Sequence, residues 1–348
     1  MTQADPFSDL KQRQRDMWAS FAPTATFTTP VAAHLVSFAG IRAGERVLDV
    51  GTGTGTVAIT AARVLARGRD KLPGDVVFAF QPAEETDGGA APMIAALLCG
   101  REGSVGFPGK NTYPLLGRPL MQYPMLAAQH APSVGRCYLS TDAEAYKAFA
   151  RPQGWEIIDR PAYLATKEAL GEDAFKHGYE VIRDRLAADG ETVELIVLLF
   201  CNAATISADL IEQGIALLRS RPDLDSAVTV SAYNMWSPIR ARRQMPDGTL
   251  QPFVPFEAMG LGDAINCDRD SQGGVWYADM GMSIVRPHCL EHMETGLLPK
   301  KWMGQRIGAV KSWGGLDVDF EWQLPIVEFW LKRHGFDETR TPYDGVTR

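Results

Sequence analysis

From Met93 onward, strand-length apolar runs alternate with helix-length segments, and this rhythm restricts the fold more than any other feature of the chain. The spacing predicts strands at 93–99, 137–140, 156–158, 194–200, 227–231 and 282–285. Helices are expected at 119–129, 143–150, 174–188, 208–219 and 321–333. Short buried runs separated by helices belong to α/β folds with a mostly parallel sheet. One stretch breaks the pattern. Residues 233–280 contain the turn Pro246-Asp247-Gly248 and several aromatics but no helical period, so a β-hairpin insertion is expected there, serving as a dimer arm.

The chain is 45% hydrophobic and 22% charged, an ordinary globular composition that excludes a disordered or fibrous protein. A formal charge of -7 argues against a polyanion-binding protein, so no nucleic-acid partner is expected. No apolar run approaches the roughly 18 residues of a membrane span. The N-terminus lacks a basic-then-apolar leader pattern. A cytoplasmic location without a membrane partner is therefore expected. The five cysteines all follow residue 92 and are scattered too widely for a disulfide framework, which hints at a compositional boundary near that point.

Before that boundary lie two short signatures. A strand at 46–50, the loop Gly51-Thr52-Gly53-Thr54-Gly55, a helix at 57–66 and a strand at 75–80 make a small βαβ segment. Glycines at such a turn let backbone approach a ligand at the following helix N-terminus. The stretch from Val47 to Gly55 resembles motif I of class I S-adenosylmethionine-dependent methyltransferases. The resemblance implies a cofactor loop at Asp49, Gly51, Gly53 and Gly55, in a domain cut short near residue 68. Residues 69–92, with Gln81-Pro82-Ala83-Glu84-Glu85, resemble a fragment of the zinc amidohydrolases and aminoacylases. The further His and Asp ligands of a dimetal centre are missing from this chain.

Residues 93–348 carry an ordered series of motifs. Arg101 to Asn111 follows a strand and is not a Walker loop. Arg101 and Lys110 flank a glycine-bearing turn containing Ser104, an arrangement suited to a triphosphate and departing pyrophosphate. Then come Leu116-Gly117-Arg118-Pro119, Leu139-Ser140-Thr141-Asp142, Asp159-Arg160-Pro161-Ala162 and Leu316-Asp317-Val318-Asp319. In that order they resemble the acylneuraminate (CMP-sugar) cytidylyltransferase family.

The resemblance implies a Rossmann-like nucleotidyltransferase domain that transfers CMP from CTP to a 2-keto-3-deoxy sugar acid, working as a homodimer. It implies nucleotide contacts at Arg101, Ser104, Lys110 and Asn111, with Lys110 and Arg101 acting on the phosphates. Asp317 and Asp319 alternate along an extended segment, so both carboxylates face one side, as a Mg2+ pair would. Substrate contacts are expected from Asn202, Arg240 and Arg242. Two departures bear on the sugar: Phe200 stands where the family has a glutamine, and Ile206 where it has an arginine. His288-Cys289-Leu290-Glu291-His292 fits an inverted zinc-peptidase spacing without an evident third ligand. Two other functions compete: methyl transfer through the N-terminal glycine loop, and a non-catalytic fused N-terminus.

Overall fold

The computed structural model describes residues 91–260 and 266–345. The methyltransferase-like loop with Asp49, Gly51, Gly53 and Gly55 lies outside the described residues, as do Glu84 and Glu85. Residues Ala90–Arg348 form one compact unit.

Eleven strands are described. They are β1 (Ala91–Cys99), β2 (Pro114–Leu115), β3 (Arg118–Pro119), β4 (Arg136–Thr141), β5 (Glu156–Asp159), β6 (Glu191–Phe200), β7 (Ser226–Ala232), β8 (Arg242–Gln244), β9 (Leu250–Pro252), β10 (Trp276–Val285) and β11 (Ile307–Ser312). Seven of them form one sheet in the order β11-β7-β10-β6-β1-β4-β5. β10 runs antiparallel to both neighbours, and every other pair in the sheet is parallel. The helices are α1 (Gln122–Gln129), α2 (Glu144–Ala150), α3 (Gly171–Ala188), α4 (Ala208–Ser220), α5 (Pro287–Glu291) and α6 (Leu324–Arg333). The expected α/β class with a mostly parallel sheet is what the chain adopts. Among the described residues no helix is long and apolar enough to cross a membrane.

Strand periodicity explains the two cores. Ile94, Ala96 and Leu98 point to one face, where they join Met125 of α1, Ile211 of α4 and Trp330 of α6. Ala95, Leu97 and Cys99 point to the other, against Phe175, Tyr179 and Ile182 of α3. A sheet covered on both faces needs continuous apolar strand centres, which is why residues 93–99 of β1 and 195–200 of β6 read as unbroken apolar runs. α4 starts where Ser207 accepts a hydrogen bond from Leu210 N at 3.3 Å, capping a free donor.

Several boundaries differ from those expected. β1 begins at Ala91, so Ala91 and Pro92 pair with Glu191 and Thr192 across the point where the sequence signatures change. The ladder shifts register between Met93 and Ile94, immediately after that point. The insertion at 233–280 does contain a hairpin ladder, β8 with β9. Its last five residues, however, belong to β10 of the main sheet. α1 starts three residues later than expected, and residues 321–323 form a 3-10 turn before α6. β11 was not expected. Its burial alternates residue by residue along a sheet edge, and its Gly308 and Lys311 are poor strand formers.

Chain order places the site. From β1 the chain moves to β4 and β5 on one side, then returns to β6 on the other. Open α/β sheets bind ligands outside the carboxyl ends of the strands at such a reversal.

Candidate active site

The loop after β1 begins at this reversal. It is built from backbone turns: Gly103 and Gly109 both have positive φ, and Glu102 N donates to Asp142 Oδ1 beyond β4 at 3.0 Å. Arg101 curls back, with Nη1 donating to the carbonyls of Glu102 and Gly103. The loop closes in a 3-10 turn, Lys110–Thr112. Asn111 is buried there and its Oδ1 has no partner among the described residues. A buried amide oxygen without a donor is unusual enough to ask for one from a ligand. Ser104 sits part-buried in the same loop.

Beneath the loop lies a cation the sequence did not single out. Arg160, the first residue after β5, is 9% exposed. Its Nη2 donates to Ser140 O at 2.8 Å and its Nε to Ser140 Oγ at 3.3 Å. Among the described residues no carboxylate is within ion-pair distance of it. A buried guanidinium without a counter-charge is costly unless an anion or acceptor completes it. Its signal was available: an arginine directly after a strand and before Pro161, at the carboxyl edge. Cys99 and Cys201 flank this region, and burial pushes both thiols up, so they act as packing groups.

The acidic segment arrives from the other side. After β11 the chain passes Gly314 and Gly315 and is then stapled to the loop following β6. Leu316 N donates to Thr205 Oγ1 at 3.0 Å, Thr205 Oγ1 donates to Leu316 O at 3.2 Å, and Val318 N donates to Asn202 O at 2.9 Å. Asn202 Nδ2 also donates to Val318 O at 3.0 Å. Asn202, expected at the substrate, thus holds the acidic segment in place. Phe200 packs edge-on against Phe175, and Ile206 is fully buried in the core. The positions where the family resemblance would put polar groups are apolar in their packing as well as in their chemistry.

Val318 points inward and is fully buried, which leaves Asp317 and Asp319 on its two sides. Asp319 receives Lys110 Nζ at 2.5 Å. This ion pair ties the phosphate-type loop to the acidic segment. Gly106 makes the approach possible: a Cβ there would lie 2.9 Å from Asp319 O. Asp317 is further in, and burial, reinforced by Asp319, holds its carboxyl above the usual range. Among the described residues no cluster of three or more His, Cys, Asp or Glu is placed to hold a metal.

Beside Asp317 opens a cavity of about 200 Å³, lined by Tyr233, Trp236, Tyr277, Asp279, Met280 and Asp317 with small neighbours. Asp279 is buried, accepting from Ser231 Oγ at 2.6 Å and Gly281 N at 3.1 Å. Gly315 is required against it, because a Cβ would come within 2.2 Å of Asp279 Oδ2. Arg240 and Arg242 do not line this cavity. Arg240 donates to Cys267 O and Arg242 to Ile239 O, within the insertion that carries them. The zinc-like spacing at 288–292 is dispersed: His288 bonds Asp225, Glu291 accepts from Tyr179, and His292 pairs with Glu294.

Comparison with known proteins bears on the first half of this site. A family model described as cytidylyltransferase matches residues 95–184. The chain is 33% identical over 91 residues to the N-acylneuraminate cytidylyltransferase of Escherichia coli O18:K1:H7 (strain RS218 / NMEC), covering 26% of this chain and 22% of that protein. The chain therefore matches less than a quarter of that relative's length. Among solved structures, CMP:2-keto-3-deoxy-manno-octonic acid synthetase complexed with CTP is similar at 17% identity and a TM-score of 0.49, covering 69% of this chain and 99% of that one. The 4-diphosphocytidyl-2C-methyl-D-erythritol synthase of Anaerococcus prevotii DSM 20548 gives 11% identity and a TM-score of 0.47, covering 70% and 97%. The matched segment runs from β1 into α3 and contains Arg101, Ser104, Lys110, Asn111 and Arg160. Over residues 95–184 the sequence matches the cytidylyltransferase family model.

Proposed function

We propose that residues 93–348 transfer CMP from CTP to a hydroxyl of a 2-keto-3-deoxy sugar acid and release pyrophosphate. One observation carries this reading. A cation-bearing glycine loop, a buried arginine without a counter-charge among the described residues and a pair of carboxylates converge at the sheet reversal, and the loop and arginine lie in the family-matched segment.

In the proposed reaction the sugar hydroxyl oxygen bonds to the α-phosphorus. The bond from that phosphorus to the bridging oxygen breaks, its electron pair leaves with pyrophosphate, and the hydroxyl proton passes to solvent. Such transfer depends on alignment and on neutralising phosphate charge. Lys110 and Arg101 supply fixed positive charge to the departing phosphates, and Ser104 and the loop N–H groups complete the cradle. Arg160 and the unpartnered Asn111 Oδ1 hold the rest of the nucleotide. Two neighbouring carboxylates, one with its pKa raised by burial and further by the other, suit a hard divalent cation that takes one or two carboxylates plus phosphate oxygens. Asp317 and Asp319 would hold Mg2+, which supplies charge neutralisation on the phosphate oxygens when bound. Lys110 would then exchange Asp319 for phosphate.

The insertion fits a homodimer arm: Trp236, Leu250 and Phe253 are exposed large apolar groups on and beside its hairpin. The reading is tested by mixing the protein with Mg2+, each nucleoside triphosphate in turn, and a panel of 2-keto-3-deoxy sugar acids. Pyrophosphate is expected only with CTP and a suitable acid. Release with every triphosphate alike, or with none, overturns it.

A further inference from the structure

The aromatic cavity beside Asp317 has a charge problem if its guest is a sugar acid. Its wall carries two carboxylates, Asp279 and Asp317, and no cationic side chain. With Asp317 engaged by the Mg2+ proposed above, a carboxylate entering it still faces Asp279, a like charge that a low-dielectric site punishes. A cation must answer from behind the wall.

Lys300 is placed to do so. Its Nζ donates to Ala278 O at 3.4 Å and touches Met280 Sδ, and both residues line the cavity. An ammonium has three protons to satisfy. Here its partners are one long carbonyl contact and a thioether, a weak acceptor. Among the described residues no carboxylate lies within ion-pair distance of it, although it feels the charges of Asp317 and Asp279. It is part-buried, and burial pulls its pKa down against those charges. Met280, which lines the cavity and whose thioether this ammonium touches, has φ 63, a left-handed backbone that a non-glycine residue rarely adopts. Unusual backbone of this kind gathers at ligand-binding positions. Of the other cations, Lys110 acts on Asp317 but is paired with Asp319, and Lys311 is exposed and lies 4.8 Å over the Trp276 ring, so each already has a partner.

We infer that Lys300 is a specificity-determining residue that receives the carboxylate of the acceptor sugar acid in the cavity walled by Tyr233, Trp236, Tyr277 and Met280. The inference rests on the cytidyl-transfer reading above and adds to it the group that distinguishes an acid from a neutral sugar. It also accounts for the substitution at Phe200. With a part-buried apolar ring packed against the core there, recognition of the acid is moved to another part of the site.

The test uses the full chain with CTP and Mg2+. The probes are N-acetylneuraminate and 2-keto-3-deoxy-manno-octonate, each as the free acid and as its methyl ester. A charge-assisted contact of ordinary strength makes the wild type prefer acid over ester by roughly 10- to 100-fold in kcat/KM. In Lys300→Met that preference collapses. The KM for the acid rises by a similar factor, while the KM for CTP stays within about twofold. Lys300→Arg retains most of the preference. Should Lys300→Met fail to fold, Lys300→Gln is read on the same ester ratio. A wild-type ratio near one overturns the inference by itself. So does a Lys300→Met enzyme that keeps its preference, or a collapse found in Lys311→Met instead. Absence of pyrophosphate from the wild type with CTP and every acid overturns the cytidyl-transfer reading, and the inference falls with it.

Discussion

On the β1 side of the site, Arg101, Lys110 and Arg160 present positive charge from turns held by backbone hydrogen bonds. On the β10 side, Tyr233, Trp236 and Tyr277 present rings around Asp279 and Asp317. The first side lies within the family-matched segment, and the second lies beyond residue 184. A triphosphate offers the same charges whatever the acceptor, so cations and N–H groups suffice to hold it. An acceptor is told apart by shape and by a few polar groups, which are matters of individual side chains. The two sides meet at one ion pair, Lys110 with Asp319.

The largest expected effect is beside that meeting point, at Asp317. Asp317→Asn should lower kcat by roughly 100-fold or more, the scale of losing a group that stabilises transferring phosphate charge. Steady-state pyrophosphate release measures it. The same variant carries a stability signature with a definite sign. Asp317 has a raised folded-state pKa, so across the window between its ordinary and raised values the folded protein binds more protons than the unfolded one. Stability from this group is therefore present in acid and lost as pH rises through that window. At neutral pH without Mg2+, Asp317→Asn should melt higher than wild type, and the advantage should vanish in acid. A lower melting temperature at pH 7 would show that Asp317 is not under electrostatic stress.

Next in size is Arg160→Met. If the buried guanidinium awaits the nucleotide, CTP binding by calorimetry should weaken by about 10- to 100-fold, while the nucleotide-free protein loses no stability or gains some. Destabilisation without loss of affinity would reassign Arg160 to holding Ser140 alone.

The arm is tested by replacing the β8–β9 hairpin, residues 242–252, with a short glycine-serine turn. Light scattering after gel filtration should then show a monomer in place of a dimer. Unchanged mass would remove the hairpin from the interface.

The smallest effect concerns backbone strain on the acceptor side. Asparagine tolerates left-handed φ better than methionine, so Met280→Asn should stabilise by about 1 kcal/mol, or roughly 2 °C in melting temperature. The acid KM should shift with it if Met280 positions Lys300.

Truncation sharpens the other boundary. Because Ala91 and Pro92 pair with β6, a chain starting at residue 90 should fold more stably than one starting at 93. Comparative urea unfolding decides it.

Much of this was legible in the sequence. The strands of β1, β4, β5, β6 and β7 were marked by apolar runs, because a parallel sheet covered on both faces makes most positions of the strand centres apolar. The charged loop at 101–111 and the acids at 317 and 319 were marked by residue type and spacing. The start of β10 was hidden, since Trp276–Met280 is half-exposed and follows a hairpin-like stretch. Arg160 and Lys300 were hidden for a different reason. Each is one basic residue among 35 lysines and arginines, and what sets it apart is the missing partner.

The sequence by itself determined the α/β class, the strand order of the chain's elements along the polypeptide, and the chemistry available at each loop. These follow from periodicity and residue type, which are local. Only the tertiary structure decided that Lys110 meets Asp319 across 209 positions, that Asn202 staples the acidic segment, and that Arg160 and Lys300 lie buried or part-buried without counter-ions among the described residues. Those are relations between strands brought together by packing, and burial is what turns an ordinary charged side chain into one that needs a ligand.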